Sequence, residues 1–484
     1  MAQVDPTAWP LRLTQRQSVG EKTVKGQERK EPFRVFRGQL NLGLNAFFAA
    51  GAALWLSLGA TSSAAQQITL AEAFGRMQGQ ELQLQILDLE REVAEEVVRQ
   101  ARAQRLPRVS LRFQTSYTQQ DILSADNTTF SSGQSEFPTT SIALQVSQPL
   151  YDATAFRAMP VAQAEQAVVA AEAEQARQEI AGRLVGSYLS VAEAALDVRQ
   201  AEVLVRARTQ LERILELEVQ AGRADRRLLD RATGDTFGAR AELSDAQLGR
   251  SDALFDLYRF TGPEVTSVVV PASIGIPSIS NFASTFSRDR LLQMSPRVEI
   301  ARARAALARK RLEQIKGERL PSANLTLDVT RERTEGSLFG GGSDVQSSEL
   351  GLSVDVPIYE GGVVRSRIRE AETRVQIEDL RVREAADLVT RRYGALLEAA
   401  QQSQARTAAI GQQLNEARQE LAGARAAGDA GRADARLLLE QGLRVDILAV
   451  ELQASRLRTL RIQAELLTLF GALDVGALSQ QLSS

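Results

Sequence analysis

"AGRADRRLLD" at residues 221–230 returns as "AGRADARLLL" at 430–439, with eight of ten positions identical at an offset of 209. A glycine inside a short polar phrase reads as a turn, because glycine reaches positive φ without a steric penalty. Asp225 and Asp434, three residues after each glycine, are placed to cap a helix that starts there. The same phrase used twice, so far apart, points to two copies of one unit.

Other pairs extend the match. "RLPRVSLRF" at 105–113 resembles "RLPSANLTL" at 319–327, and "VSQPLYDATAFRA" at 146–158 resembles "VDVPIYEGGVVRS" at 354–366. The offsets are 214 for Pro107/Pro321, 208 for Tyr151/Tyr359 and 209 for Gly222/Gly431, in the same order along the chain. Within each copy the period changes. Val109, Leu111 and Phe113 alternate with Ser110, Arg112 and Gln114, and Ile142, Leu144 and Val146 with Ala143 and Gln145. Leu325, Leu327 and Val329, then Leu350, Leu352, Val354 and Val356, do the same in the second copy. Period two gives strands with one apolar and one polar face, two per copy and about ten residues each. Such strands belong either to a half-buried soluble sheet or to a membrane barrel, where ~9–11 residues span a bilayer.

The remainder reads as helix. Tyr151 to Gly222 is 71 residues and Gly222 to Gly262 is 40; in the second copy the same spans are 72 and 40. Leu189, Leu196 and Val203 repeat every seven residues, as do Leu414 and Leu421, which is coiled-coil spacing. A long helix therefore reaches the AGRAD turn and returns along a shorter one. A further helix before the first strand of each copy, about 80–106 and 296–320, stacks end to end on the short one and makes up the length. The expected rod is ~105 Å, with strands at one end and turns at the other.

Composition narrows the function. The 484 residues carry a net charge of −2, with no histidine and no cysteine. That removes thiol nucleophiles, Ser-His-Asp triads and His/Cys metal sites, and gives no basic field for nucleic acid. No catalytic motif, metal site or cofactor is expected, so an enzyme is the least favoured reading. Residues 1–38 are polar and basic, Leu40 to Leu58 is apolar, and Ser63 and Ala65 have the small-residue spacing of a cleavage site. This reads as a signal peptide with a long basic lead over 1–65; a single membrane anchor is the alternative.

The strand–helix phrases, above all "VPIYEGGVVRSRIREAE" from Val356, and the two tips resemble the TolC family of outer-membrane efflux and secretion channels over about residues 68–474. The resemblance implies a mainly α fold with membrane β. Long helical hairpins would form an α-helical barrel continuous with a trimeric twelve-stranded β-barrel, four strands per chain, on a two-fold internal repeat. It implies the outer membrane of a Gram-negative-type bacterium, with the tunnel in the periplasm and outer-membrane lipid around the barrel. The expected partners are two more copies of the chain, a periplasmic adaptor, and through it an inner-membrane ABC or RND-type pump. The cargo is protein (type I secretion) or drugs (multidrug efflux), and the chain itself is a passive duct.

On this reading the chain divides into 1–65, a first repeat 66–262, a linker or equatorial segment 263–290, a second repeat 291–471 and a carboxyl tail 472–484. The linker and tail are expected to form a belt around the tunnel. Gly222, Arg223, Asp225, Leu228 and Leu229 form one adaptor-docking tip, and Gly431, Arg432, Asp434, Leu437 and Leu438 the other. A turn and a cap alone do not require the arginines or paired leucines; recent duplication is the competing explanation for their match. Pro149, Tyr151, Pro357, Tyr359, Gly361 and Gly362 mark the strand-to-helix junctions. The family commonly narrows near the second tip with acidic rings; Leu437 stands at one such place, leaving Glu440, and less strongly Asp434, for a cation-attracting constriction or a solvated surface charge. "EQGLRVDILAVE" at 440–451 also looks like a tip, but it would make helices of 83 and 29 residues and break the match between copies. The rival functions are a periplasmic adaptor, expected to have one hairpin, and a structural coiled coil, which needs no amphipathic strands.

Overall fold

The computed structural model describes residues 66–121, 134–270, 279–336, 341–429 and 434–483. The segment read as a signal peptide lies outside them. The described chain opens with a short strand, β1 (Gln66–Ile68), and two helices, α1 (Leu70–Gln80) and α2 (Leu82–Ala103). Two long strands follow, β2 (Arg108–Asp121) and β3 (Gln134–Asp152). Then come the long helix α3 (Ala153–Gln220) and the returning α4 (Arg226–Thr261). Between the copies lie β4 (Val265–Val268), α5 (Ile279–Thr285) and α6 (Arg288–Met294). The second copy holds α7 (Pro296–Lys316), β5 (Ser322–Thr334), β6 (Ser343–Asp355), α8 (Val363–Asp429) and α9 (Ala435–Phe470), and α10 (Val475–Ser483) closes the chain.

The long helices have 68 and 67 residues, or ~100 Å each. Asp152 starts the first by accepting from the backbone N–H groups of Thr154 at 2.8 Å and Ala155 at 3.0 Å. That satisfies two of the donors a helix start leaves open. The "EQGLRVDILAVE" stretch lies inside α9 and so is not a tip: α8 ends at Asp429 and α9 begins at Ala435. Among the described residues no helix is long and apolar enough to cross a membrane.

The helices lie side by side in a fixed order. The short helices α2 and α4 of the first copy pack on α3. Those of the second copy, α7 and α9, fill the space between α3 and α8. In each copy the two short helices meet end on at a left-handed glycine, Gly262 (φ 81°) or Gly471 (φ 66°). At the first joint Arg76 donates to the Thr261 carbonyl at 3.4 Å and Arg259 pairs with Glu81 at 3.8 Å. At the second, Gly471 sits against the Pro296 ring that begins α7; a Cβ there would lie 2.6 Å from Pro296 Cγ.

The strands run to 14, 19, 13 and 13 residues, longer than the ten or so their alternation indicates. Beyond the apolar stretch both faces turn polar, and backbone pairing carries the ladder on with polar cross-strand pairs, Tyr117 donating to Glu136 at 2.7 Å and Arg331 to Asp344 at 2.9 Å. The linker carries a strand whose partner is distant in sequence. β4 pairs in parallel with β1, nearly 200 residues earlier. Around this pair an apolar core gathers Ile68, Leu70 and Met77, Leu184 and Tyr188 of α3, Leu257 of α4, Leu457 and Leu460 of α9, and Leu478 and Leu482 of α10. Fully burying a side chain of this size contributes ~1.5–3 kcal/mol. The Tyr188 hydroxyl donates to the carbonyls of Val269 at 3.0 Å and Ile68 at 3.3 Å. In the second copy Tyr393 does the same job, donating to the Phe286 carbonyl at 2.8 Å.

Candidate functional site

Three regions carry the surface features that function can use: the sheet, the junctions beneath it, and the tips. The four long strands make one antiparallel sheet in the order β2-β3-β5-β6. Its registers bring the alternating apolar residues into line. Leu111 faces Leu144, which faces Val329; Val109 faces Val146, which faces Leu327, which faces Leu350. The result is an apolar band across one face, and most of it is open: Leu111 is 72% exposed, Phe113 67% and Leu350 71%. The other face carries Arg108, Ser110, Arg112, Gln145, Asp328, Glu349 and Asp355. An exposed apolar band backed by a polar face is the pattern of a barrel wall between lipid and water. Both outer strands, β2 and β6, have one unpaired edge within the chain.

The two junctions differ. In the first, β3 runs straight into α3, with a register shift between Pro149 and Tyr151. Tyr151 meets Phe156 edge-on at 6.3 Å, and Arg105 covers the Phe156 ring at 5.4 Å while donating to its carbonyl. In the second, β6 stops at Asp355, and Gly361 (φ 62°) and Gly362 (φ 86°) turn the chain into α8. Pro357, Ile358 and Tyr359 lie in this turn, and Tyr359 is 86% exposed. The sequence difference is the glycine pair: the second junction turns at two positive-φ glycines and the first has none.

At the first tip Gly222 has φ 71°. Asp225 accepts from the backbone N–H of Arg227 at 2.9 Å and from its guanidinium at 3.0 Å. These bonds, the backbone one first, hold its carboxyl below the ordinary range. Arg223 and Leu228 are exposed and Leu229 half-buried. At the second tip Gly431 and Arg432 lie outside the described residues. Asp434 caps α9, accepting from the Arg436 N–H at 3.1 Å. Leu437 is exposed and Leu438 half-buried. Glu440 is exposed, with no partner among the described residues.

One pair of tip residues goes unnoticed in the sequence. Arg436 occupies the same place in its copy as Arg227, yet its guanidinium crosses to Glu218 at the end of α3, tying the second hairpin to the first. The signal is present in the repeat as its shared seventh residue, but nothing in the phrase says that the two copies choose different partners.

Along α3, Gln175, Glu179, Gly182, Gly186 and Ser190 share a face about half a turn from the core face of Leu184 and Tyr188. They line an open groove of about 830 Å³ with Arg461 and Glu465 of α9. There Arg461 donates to Glu193 at 2.9 Å and to Ser190 at 3.0 Å. Burial pushes the Glu193 carboxyl up despite the arginine. This wall is polar, lined with paired charges and small residues.

Comparison with known proteins agrees with this architecture. The family model described as outer membrane efflux protein matches residues 74–263 and 288–472, well over half of the chain, in two blocks that fit the two-fold repeat. No functionally curated protein matches the sequence significantly. Among solved structures, CusC aligns with a TM-score of 0.68 at 16% identity, covering 84% of this chain and 92% of that one. The Campylobacter jejuni CmeC outer membrane channel aligns at 0.68 and 14%, covering 86% and 89%. The Vibrio cholerae outer membrane protein VceC aligns at 0.65 and 18%, covering 83% and 96%. At these identities the structures speak for the fold. With the family match, the sheet, the paired hairpins and the repeat make this chain a member of the outer membrane efflux protein family, a channel protein of the outer membrane.

Proposed function

We propose that three copies of the chain close one twelve-stranded barrel, that their helices continue it as a periplasmic tunnel, and that the tunnel is the passive exit duct of a tripartite export machine. The observation that carries this reading is the sheet. It has an exposed apolar face and two open edges, and unpaired strand edges do not persist in hydrocarbon. Four strands are too few to close on themselves, so other copies must supply the missing neighbours.

The helices support the same assembly. α2 exposes Leu82, Ile86, Leu89 and Val93 along one face, and α4 exposes Phe237, Leu248 and Phe255. At the opposite end of the helix order, α8 exposes Ile377 and Leu380. Apolar stripes at both ends of one layer suit a ring in which each chain covers the next. In this reading 1–65 is removed on export, the tips at Arg223, Leu228, Arg432 and Leu437 meet a periplasmic adaptor bound to an ABC or RND-type pump, and Glu440 contributes to a narrowing near the second tip. The chain does no chemistry of its own.

The test is the mass and image of the detergent-extracted particle. Three chains in a tapered, three-fold tube with a helical section of ~100 Å are expected. A particle of one chain, or an unsymmetric one, would overturn the duct.

A further inference from the structure

Resting on the oligomeric reading above, the register of the sheet goes on to specify how the seam between copies is made. In β2 the strand begins at Arg108, which faces Ser147 of β3. In β6 it ends at Asp355, which faces Ser322 of β5, itself opposite Asp152 of β3. Ser147 itself faces Thr326, four residues from Ser322, because the bulge between Pro149 and Tyr151 takes up one residue of β3. The lower boundary of the sheet therefore steps by four residues between its first strand and its last. If the seam adds no further step, a second copy's β2 starts level with the end of β6. Four residues are ~13 Å of strand against ~19 Å across four strands, a tilt of about 35°, at the lower end of the ~35–45° range of membrane barrels.

We infer that β6 of one copy pairs antiparallel with β2 of the next with Asp355 opposite Arg108. The side chains agree with this register on both faces. On the apolar face it sets Val354 opposite Val109, Leu352 opposite Leu111 and Leu350 opposite Phe113. On the polar face it joins an acidic edge to a basic one. Asp355 and Arg108 are both exposed, and neither has a partner among the described residues. The register also answers a local problem. Asp328 and Glu349 face each other directly on adjacent strands, an unfavourable like-charge pair. The seam brings the second copy's Arg112 diagonally beside Glu349, close enough for a long side chain to offset it. A register two residues further on leaves Leu350 against Thr115 and moves Arg112 away from Glu349.

The chain has no cysteine, so engineered pairs report contacts without background. The Arg108→Cys/Asp355→Cys double variant, purified in detergent and oxidised, is expected to run as linked multimers on a non-reducing gel. It should yield roughly ten-fold more linked product than Ser110→Cys/Asp355→Cys, because a disulfide tolerates little excess Cα separation. Charge is tested separately. Arg108→Asp should lower the temperature at which the oligomer falls apart, and adding Asp355→Arg should recover it. Light scattering on the same samples gives the number of chains. A multimer that links better through position 110, or whose charge swap recovers nothing, overturns the seam while leaving the multimer standing. A one-chain mass removes the assembly and the seam with it.

Discussion

Tyr188 and Tyr393 stand 205 residues apart in the two long helices, about one helical turn short of the 208–209 repeat offset, within "YLSVAEAA" and "YGALLEAA". Each sends its hydroxyl to a backbone carbonyl of the segment between the copies. Burial raises the Tyr188 hydroxyl to about 12, so it stays a donor through the physiological range. Tyr188→Phe removes the bonds to the Val269 and Ile68 carbonyls, but the Ile68 carbonyl keeps the Val269 N–H at 3.1 Å, so the cost is about 0.5–1.5 kcal/mol. A lower midpoint in thermal unfolding of the detergent particle is the expected result, and an unchanged one would mean that water replaces the bond. The pH sign follows from the upward shift. What the protonated hydroxyl contributes is intact below its unfolded value of ~10 and is lost as pH rises toward about 12. Unfolding followed over that interval should therefore show a loss of stability in the native chain that Tyr188→Phe lacks. Residues of this kind were only partly legible. The caps Asp225 and Asp434 could be read because a cap needs one residue type at one place after a turn. The tyrosines could not, because their partners lie 81 and 107 residues away. The Arg436–Glu218 pair was hidden for the same reason.

At the level of elements, the glycine joints decide whether two short helices can serve as one long support. Gly471 holds φ 66° and touches the Pro296 ring. Gly471→Ala combines a strained backbone with a contact against a ring that cannot swing aside, and is expected to cost about 1–3 kcal/mol. Hydrogen exchange should quicken in the last turn of α9 and the first of α7; unchanged exchange there would show that the joint yields freely. Helices, turns and strand faces were readable because period and turn chemistry are local. Strand lengths were not, since Tyr117–Asp121 and Gln134–Ser141 extend by backbone pairing after the apolar alternation ends. β1 has three residues and no pattern of its own; it is a strand because Val265–Val268 lies beside it.

For the whole molecule, the tips are where a partner would dock. The tips expose Arg223, Leu228 and Leu437, and the arginine recurs as Arg432. Arg223→Glu combined with Arg432→Glu is expected to abolish export, measured as cargo released from cells, while the particle keeps its mass and image. Normal release from that variant would assign the tips no part in docking. The two-fold repeat made the general architecture readable, since each feature was stated twice. The register between strands was not readable, because it is fixed by ladders that join distant segments.

The equatorial core has a consequence for how the chain reaches this state. It joins Ile68, near the start of the described chain, to Leu478 and Leu482, near its end. A chain delivered from its amino end can form each helical hairpin as it arrives, since hairpins are local. Ile68, Leu70 and Met77 cannot complete their burial until more than 400 further residues have followed. Contacts of such sequence separation are slow to make. The last helix thus acts as a completion signal: until it docks, the middle of the molecule stays open and apolar, recognisable to any factor that surveys unfinished chains.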